Sequence, residues 1–109
     1  MITETVMFDL PEGVSRDAVI ADMLKVAPRW RAEGELIRKT FLYDPVRGRS
    51  GAHYLWKSRA AALRAHDEAW RQRIRDAYGS EPVIEYFESP VVADNALGET
   101  LVDAAERLA

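Results

Sequence analysis

The apolar positions of this chain change spacing several times, and each change marks an element. Ile2 to Asp9 reads as a strand. Its Val6-Met7-Phe8 run is apolar without alternation, and Leu10-Pro11-Glu12-Gly13 breaks it. Ser15 is placed to cap a helix, with Asp17 in the first turn where negative charge suits the helix dipole. Ile20, Met23, Leu24, Ala27 and Trp30 follow at helical spacing. Pro28 removes a backbone donor, which predicts a kink or loosening around residues 24 to 28. After Glu33-Gly34-Glu35 a second strand runs from Leu36 to Asp44, rich in Ile, Thr, Phe and Tyr.

The polar stretch from Pro45 to Ser50 is a turn, and Gly51 to Lys57 form a third strand, so strands two and three make a hairpin. Ser58 caps a long second helix expected to run to about Tyr78. Gly79 stands where a helix C-terminal glycine belongs. Pro82 to Glu88 give the fourth strand. The order is strand, helix, strand, strand, helix, strand, the split βαβ plan of ferredoxin-like α+β domains. It predicts one domain over residues 1–97, with 98–109 as a tail. Leu101, Val102, Ala105 and Leu108 give that tail a weak helical pattern.

In this plan both helices cover one face of the sheet. A solvated second face calls for clean alternation. Val6-Met7-Phe8, Phe41-Leu42-Tyr43, Tyr54-Leu55-Trp56 and Tyr86-Phe87 instead put bulky groups on both faces. Burying one such side chain contributes roughly 1.5–3 kcal/mol. An apolar second face is an interaction surface, and a second copy of the same sheet is the simplest partner. The expectation is a homodimer through sheet faces; the plain alternative is a monomer with exposed aromatics.

Composition narrows the chemistry. The chain has 109 residues, 48% hydrophobic and 30% charged, the balance of a globular domain. Its net charge of −3 argues against a nucleic-acid binder. Cysteine is absent, which excludes disulfides, zinc–thiolate sites and thiol nucleophiles. The N-terminus lacks a signal-peptide pattern and no apolar run approaches a membrane span, so no membrane partner and a cytoplasmic location are expected.

At this level the chain resembles the dimeric α/β-barrel superfamily, and within it the small monooxygenases of the YdhR type. The likeness rests on Met7-Phe8-Asp9-Leu10-Pro11-Glu12-Gly13 and on Gly51-Ala52-His53-Tyr54-Leu55-Trp56 leading into the second helix. It rests also on Tyr86-Phe87-Glu88-Ser89-Pro90 through Asp94-Asn95. The resemblance implies a homodimer whose sheets pack into a barrel, with a pocket in each subunit between sheet and helices. Oxygenases without metal or flavin, haem-degrading enzymes, isomerases and cyclases share that shape, so fold alone does not choose the reaction. Haem-degrading relatives use a histidine of the corresponding helix as iron ligand, and Trp56-Lys57-Ser58 is similar to their strand-to-helix junction. They also carry an asparagine on the first strand, where this chain has Val6 and Phe8.

Among candidate functional residues His66 is the most informative. It lies between Leu63 and Trp70, in a stripe continued by Ile74 and Ala77. Histidine exchanges protons near neutral pH; the plain alternative is a packed, hydrogen-bonded helix histidine. Tyr54, Trp56 and Trp70 would line an aromatic pocket if strand three turns Tyr54 and Trp56 toward the helices, leaving His53 and Leu55 for the partner. Aromatic side chains also dominate ordinary cores. Phe8, Tyr43 and Arg38 complete the expected substrate-binding set. Tyr86 is a further polar-tipped candidate, since a tyrosine or arginine can hold a developing oxyanion.

The basic and acidic residues of the second helix fit a solvated face with opposite-charge pairs better than a phosphate patch. Arg47-Gly48-Arg49-Ser50-Gly51 lacks the spacing of a phosphate-binding loop. Two histidines and scattered acids give no metal-ligand spacing. The expected activity is a cofactor-independent monooxygenase in which His66 is the base and Tyr54 assists. The ligand would be a small apolar or aromatic molecule. The alternatives are an isomerase, cyclase or haem-handling protein, or a non-catalytic ligand-binding dimer.

Overall fold

Strand β1 (Ile2–Asp9) sends Ile2, Glu4, Val6 and Phe8 to one face of the sheet and Thr3, Thr5 and Met7 to the other, and the first set is the more deeply buried. The computed structural model describes residues 1–103. Helix α1 (Arg16–Arg31) starts at Ser15, whose side chain accepts from the Ala18 amide. It continues past Pro28 to Arg31. Proline removes one hydrogen bond, and the residue four before it, Leu24, is exposed, so water can satisfy the freed carbonyl. The buried residues of α1 are Val19 and Trp30. Leu24, expected in the inward stripe, points outward.

Strands β2 (Leu36–Asp44) and β3 (Arg49–Trp56) form the expected hairpin. Pairing slips by one residue between Leu36 and Arg38. This bulge puts Lys39, Phe41 and Tyr43 on the helix-facing side, and Arg38, Thr40 and Leu42 on the other.

The long second helix divides in two. Helix α2 (Arg59–Ala65) is capped by Ser58 and ends at His66, and α3 (Glu68–Tyr78) begins from Asp67. The Asp67 side chain accepts from the Trp70 amide at 2.9 Å. An aspartate that caps a helix competes with continuing the previous one, which explains a break that periodicity does not reveal. Gly79 ends α3 with φ of 70°, a left-handed conformation in which a side chain would be strained.

Strand β4 (Val83–Glu88) completes an antiparallel sheet of order β2-β3-β1-β4. The α+β plan is the ferredoxin-like one. A second small sheet follows, β5 (Val91–Asp94) paired with β6 (Glu99–Val102). The helical pattern expected from Glu99 onward therefore gives way to a strand over Glu99–Val102; residues 104–109 lie outside the described residues. The hairpin is fastened to the main sheet by Arg38 with Asp94 at 2.8 Å, and the connection leading into it by Thr3 with Ser89. The terminal amine of Met1 pairs with Asp103. No helix among the described residues is long and apolar enough to cross a membrane.

The core lies between the sheet and the helices. Ile2, Val6, Ala52, Tyr54 and Trp56 from the sheet meet Trp30, Ala61, Ala62 and Trp70 from the helices. The opposite sheet face carries Met7, Leu42, Leu55, Val83 and Phe87 beside Thr3, Thr5, Thr40, His53 and Glu85. Val83 and Phe87 are more than half exposed there.

Candidate functional site

Tyr54 and Trp56 face the helices, and their rings stack at 5.8 Å with a 12° interplanar angle. Behind them the break between α2 and α3 turns His66 into the core. Its imidazole meets Trp70 edge-on at 4.4 Å and Tyr54 at 4.7 Å, with Trp30 at 5.6 Å and Trp56 at 6.4 Å. His66 is 3% exposed and Glu4 is 0% exposed.

These two residues meet. Nδ1 of His66 lies 2.7 Å from Oε1 of Glu4, an ion pair when the imidazole is protonated. The same oxygen accepts from Nε1 of Trp56 at 2.9 Å. Neither imidazole nitrogen of His66 nor the other carboxylate oxygen makes a hydrogen bond of good geometry among the described residues, so the 2.7 Å approach is a charge contact rather than an aligned hydrogen bond. Burial, then the Glu4 charge, push the hydroxyls of Tyr54 and Tyr86 upward, that of Tyr86 to about 12. Both are proton donors at neutral pH.

In front of this cluster a cavity of about 590 Å³ opens between α1, α3 and the sheet. That is within the range of small-molecule sites. Val6, Phe8 and Phe41 form its floor, Val19, Met23, Val26 and Trp30 one wall, and Trp70, Ile74 and Tyr78 the other. Phe8 and Tyr78 pack at 4.5 Å. The polar groups on its lining include Lys39, Ser50, Tyr54 and, from α1, Asp22, Lys25 and Arg29.

Lys39 is caged by rings. Its Nζ lies 4.0 Å from the Trp30 ring centroid, 4.2 Å from Phe41 and 4.6 Å from Tyr54. Burial and the neighbouring Arg29 lower its pKa to about 7, against an opposing pull from Glu4.

Of the residues singled out by sequence, Phe8, Tyr54 and Trp70 line the cavity. Trp56 is fully buried behind it, and His66 is sealed off beneath Tyr54 and Trp70. Tyr43 shares the helix-facing side but is not among the lining residues. Arg38 is on the opposite face, paired with Asp94. Sequence reasoning passed over Glu4 and Lys39. Glu4 alternates with Ile2, Val6 and Phe8, and Lys39 with Phe41 and Tyr43, so period-two counting was the available signal for both. The acids do not all lie on outer faces, as Glu4 shows.

No family model matches the chain, and no curated protein matches it. Solved structures do. A protein from Deinococcus radiodurans, assigned as an antibiotic biosynthesis monooxygenase, superposes with a TM-score of 0.65 at 13% identity, over 86% of this chain and 97% of its own. SnoaB, a cofactor-independent oxygenase from Streptomyces nogalater, superposes with a TM-score of 0.58 at 14% identity, over 81% of this chain and 91% of its own. What this chain shares with both is the ferredoxin-like α+β fold, over nearly the full length of each relative.

Proposed function

We propose that this protein is an oxygenase that brings dioxygen to a small aromatic or polycyclic substrate without metal or flavin. It works as a homodimer of the dimeric α/β-barrel type, nearest in kind to the YdhR-like monooxygenases. The supporting observation is the 590 Å³ cavity, apolar on its floor and walls with a few polar tips converging on it. The fold it shares with a cofactor-independent oxygenase points the same way.

In such chemistry an electron-rich substrate loses a proton, and its anion reacts directly with dioxygen. For an anthrone, one dioxygen converts the ring CH₂ to a carbonyl, releasing one water and giving the quinone. The protein supplies a dry cavity, a site for the proton and a donor to the oxyanion. Tyr54 fits the last role, because burial keeps its hydroxyl protonated. His66 and Glu4 act through Tyr54 and Trp70, as positioning residues, since the imidazole does not reach the cavity.

The test is oxygen uptake with anthrone- and hydroquinone-like substrates. Tyr54→Phe should lower kcat about ten-fold or more while leaving KM nearly unchanged. His66→Ala should lower it through disordered packing, with a matching loss of thermal stability. An absence of oxygen uptake across both substrate classes overturns the reading.

A further inference from the structure

Lys39 stands out among the cavity groups. It sits on β2, an edge strand of the sheet, and among the described residues no acceptor lies within hydrogen-bond or ion-pair reach of it. Lys39 is half-buried, and a lysine drawn into apolar surroundings only for the fold is normally paired with a carboxylate or backbone carbonyl. Here the contacts of the amine are three aromatic rings, which stabilise a cation by its charge and leave its donors unspent.

The groups around it define what would complete the site. On α1, Arg29 adds positive charge, and Asp22 and Lys25 stand further along the same wall. On β1, Glu4 lies behind the rings; on β3, Tyr54 contributes a neutral hydroxyl; on α3, Tyr78 closes the far side. The cavity thus holds an amine without a partner, a neutral donor beside it and flat aromatic walls. A ligand with one acidic hydroxyl on a planar ring system satisfies all three.

We infer that Lys39 takes the proton of a weakly acidic aromatic ligand, a phenol or an enolisable ring ketone, and holds the resulting oxyanion as its counter-ion. The step is a proton transfer alone. The substrate O–H bond, or the C–H bond beside the carbonyl, breaks; the proton goes to Nζ; and the electron pair stays on the ligand as phenolate or enolate. The lowered pKa of Lys39 leaves a substantial share of the amine neutral at pH 7 and able to accept that proton. This inference deepens the oxygenase reading, on which its catalytic part rests; its binding part does not depend on oxygen.

The binding part is tested with para-nitrophenol and a hydroxyanthraquinone, whose phenolate bands are visible, titrated against the full chain from pH 5 to about 9, the range in which amine and phenol both change charge. The wild type should lower the apparent pKa of the bound probe by about one unit or more, equal to about ten-fold tighter holding of the phenolate than the phenol. Lys39→Met should remove the shift or reverse its sign. Lys39→Arg keeps the charge but cannot take the proton, so it should bind phenolate and lose the proton uptake seen in weakly buffered solution. An equal probe pKa in wild type and Lys39→Met, or no probe binding by the wild type, overturns the inference.

Oxygen uptake separates the two readings. If the probe shift depends on Lys39 and no substrate consumes oxygen, the oxygenase reading fails and the site stands. Equal oxygen uptake by wild type and folded Lys39→Met overturns the catalytic part and leaves the oxygenase reading intact.

Discussion

Oε1 of Glu4 touches both the imidazole of His66, at 2.7 Å, and the indole N–H of Trp56, at 2.9 Å, with no solvent contact for any of the three side chains. One carboxylate thus ties β1 to β3 and to the break between α2 and α3. Glu4→Ala strands two buried polar groups and should cost about 3–5 kcal/mol. Glu4→Gln keeps an acceptor for the indole and should cost less, about 1–3 kcal/mol. Urea unfolding followed by tryptophan fluorescence measures both. Equal stability of Glu4→Ala and wild type would show that the pair does not hold the core.

Lys39 makes stability depend on pH. Its folded pKa is about 7, below the ordinary 10.5. Between those values the unfolded chain binds more protons than the folded one, so stability rises with pH across that window. Below pH 7 both states are protonated and the burial cost is felt in full. The slope should reach at most about 1.4 kcal/mol per pH unit. Lys39→Met should abolish this component, and its stability advantage over wild type should shrink from pH 7 to 10. Parallel curves for the two proteins would rule it out.

Gly51 sits where β3 passes close to β1. A Cβ built there would lie 1.8 Å from the carbonyl oxygen of Val6 and 2.7 Å from the sulfur of Met7. The methionine can move, but the backbone oxygen belongs to the sheet. Gly51→Ala should therefore cost about 3 kcal/mol or more, at the upper end of overpacking effects. Thermal unfolding by circular dichroism reads this directly. A variant within half a kcal/mol of wild type would mean the two strands separate there easily.

The outer sheet face offers Val83 and Phe87 to solvent, next to Met7 and Leu42. If that face meets a second copy, Phe87→Glu places a charge in an apolar interface and should yield a monomer by light scattering, with a lower unfolding midpoint at low protein concentration. A wild type that runs as a monomer at micromolar concentration defeats the dimer proposal outright.

The main elements were legible because their signals are local. Apolar and β-forming residues bounded by turn residues mark β1 and β2, Ser15 and Ser58 are caps, and Gly79 is a C-terminal glycine. The break at His66 was not legible. It depends on Asp67 preferring to cap Trp70 over continuing a turn, a choice that aspartate leaves open in an isolated sequence. Arg38 was assigned to the ligand together with Tyr43, although an odd separation along a regular strand sends the two to opposite faces. The bulge after Leu36 exchanges the two faces of β2, and only the pairing with β3 reveals it. The β5–β6 hairpin was missed because four-residue strands carry too little pattern to outweigh a weak helical one.

The strand order has a consequence for how the chain acquires its shape. β1 precedes the other strands in the chain, yet it lies inside the sheet, with Ile2 opposite Trp56 on one side and Glu88 on the other. Until residue 88 has been made, one edge of β1 has no partner, and Glu4 lacks the enclosure that justifies its burial. Pairings this distant in sequence are slow to close. A nascent chain stopped before β4 should therefore expose a sticky edge and bind chaperones, and the arrival of β4 should release it.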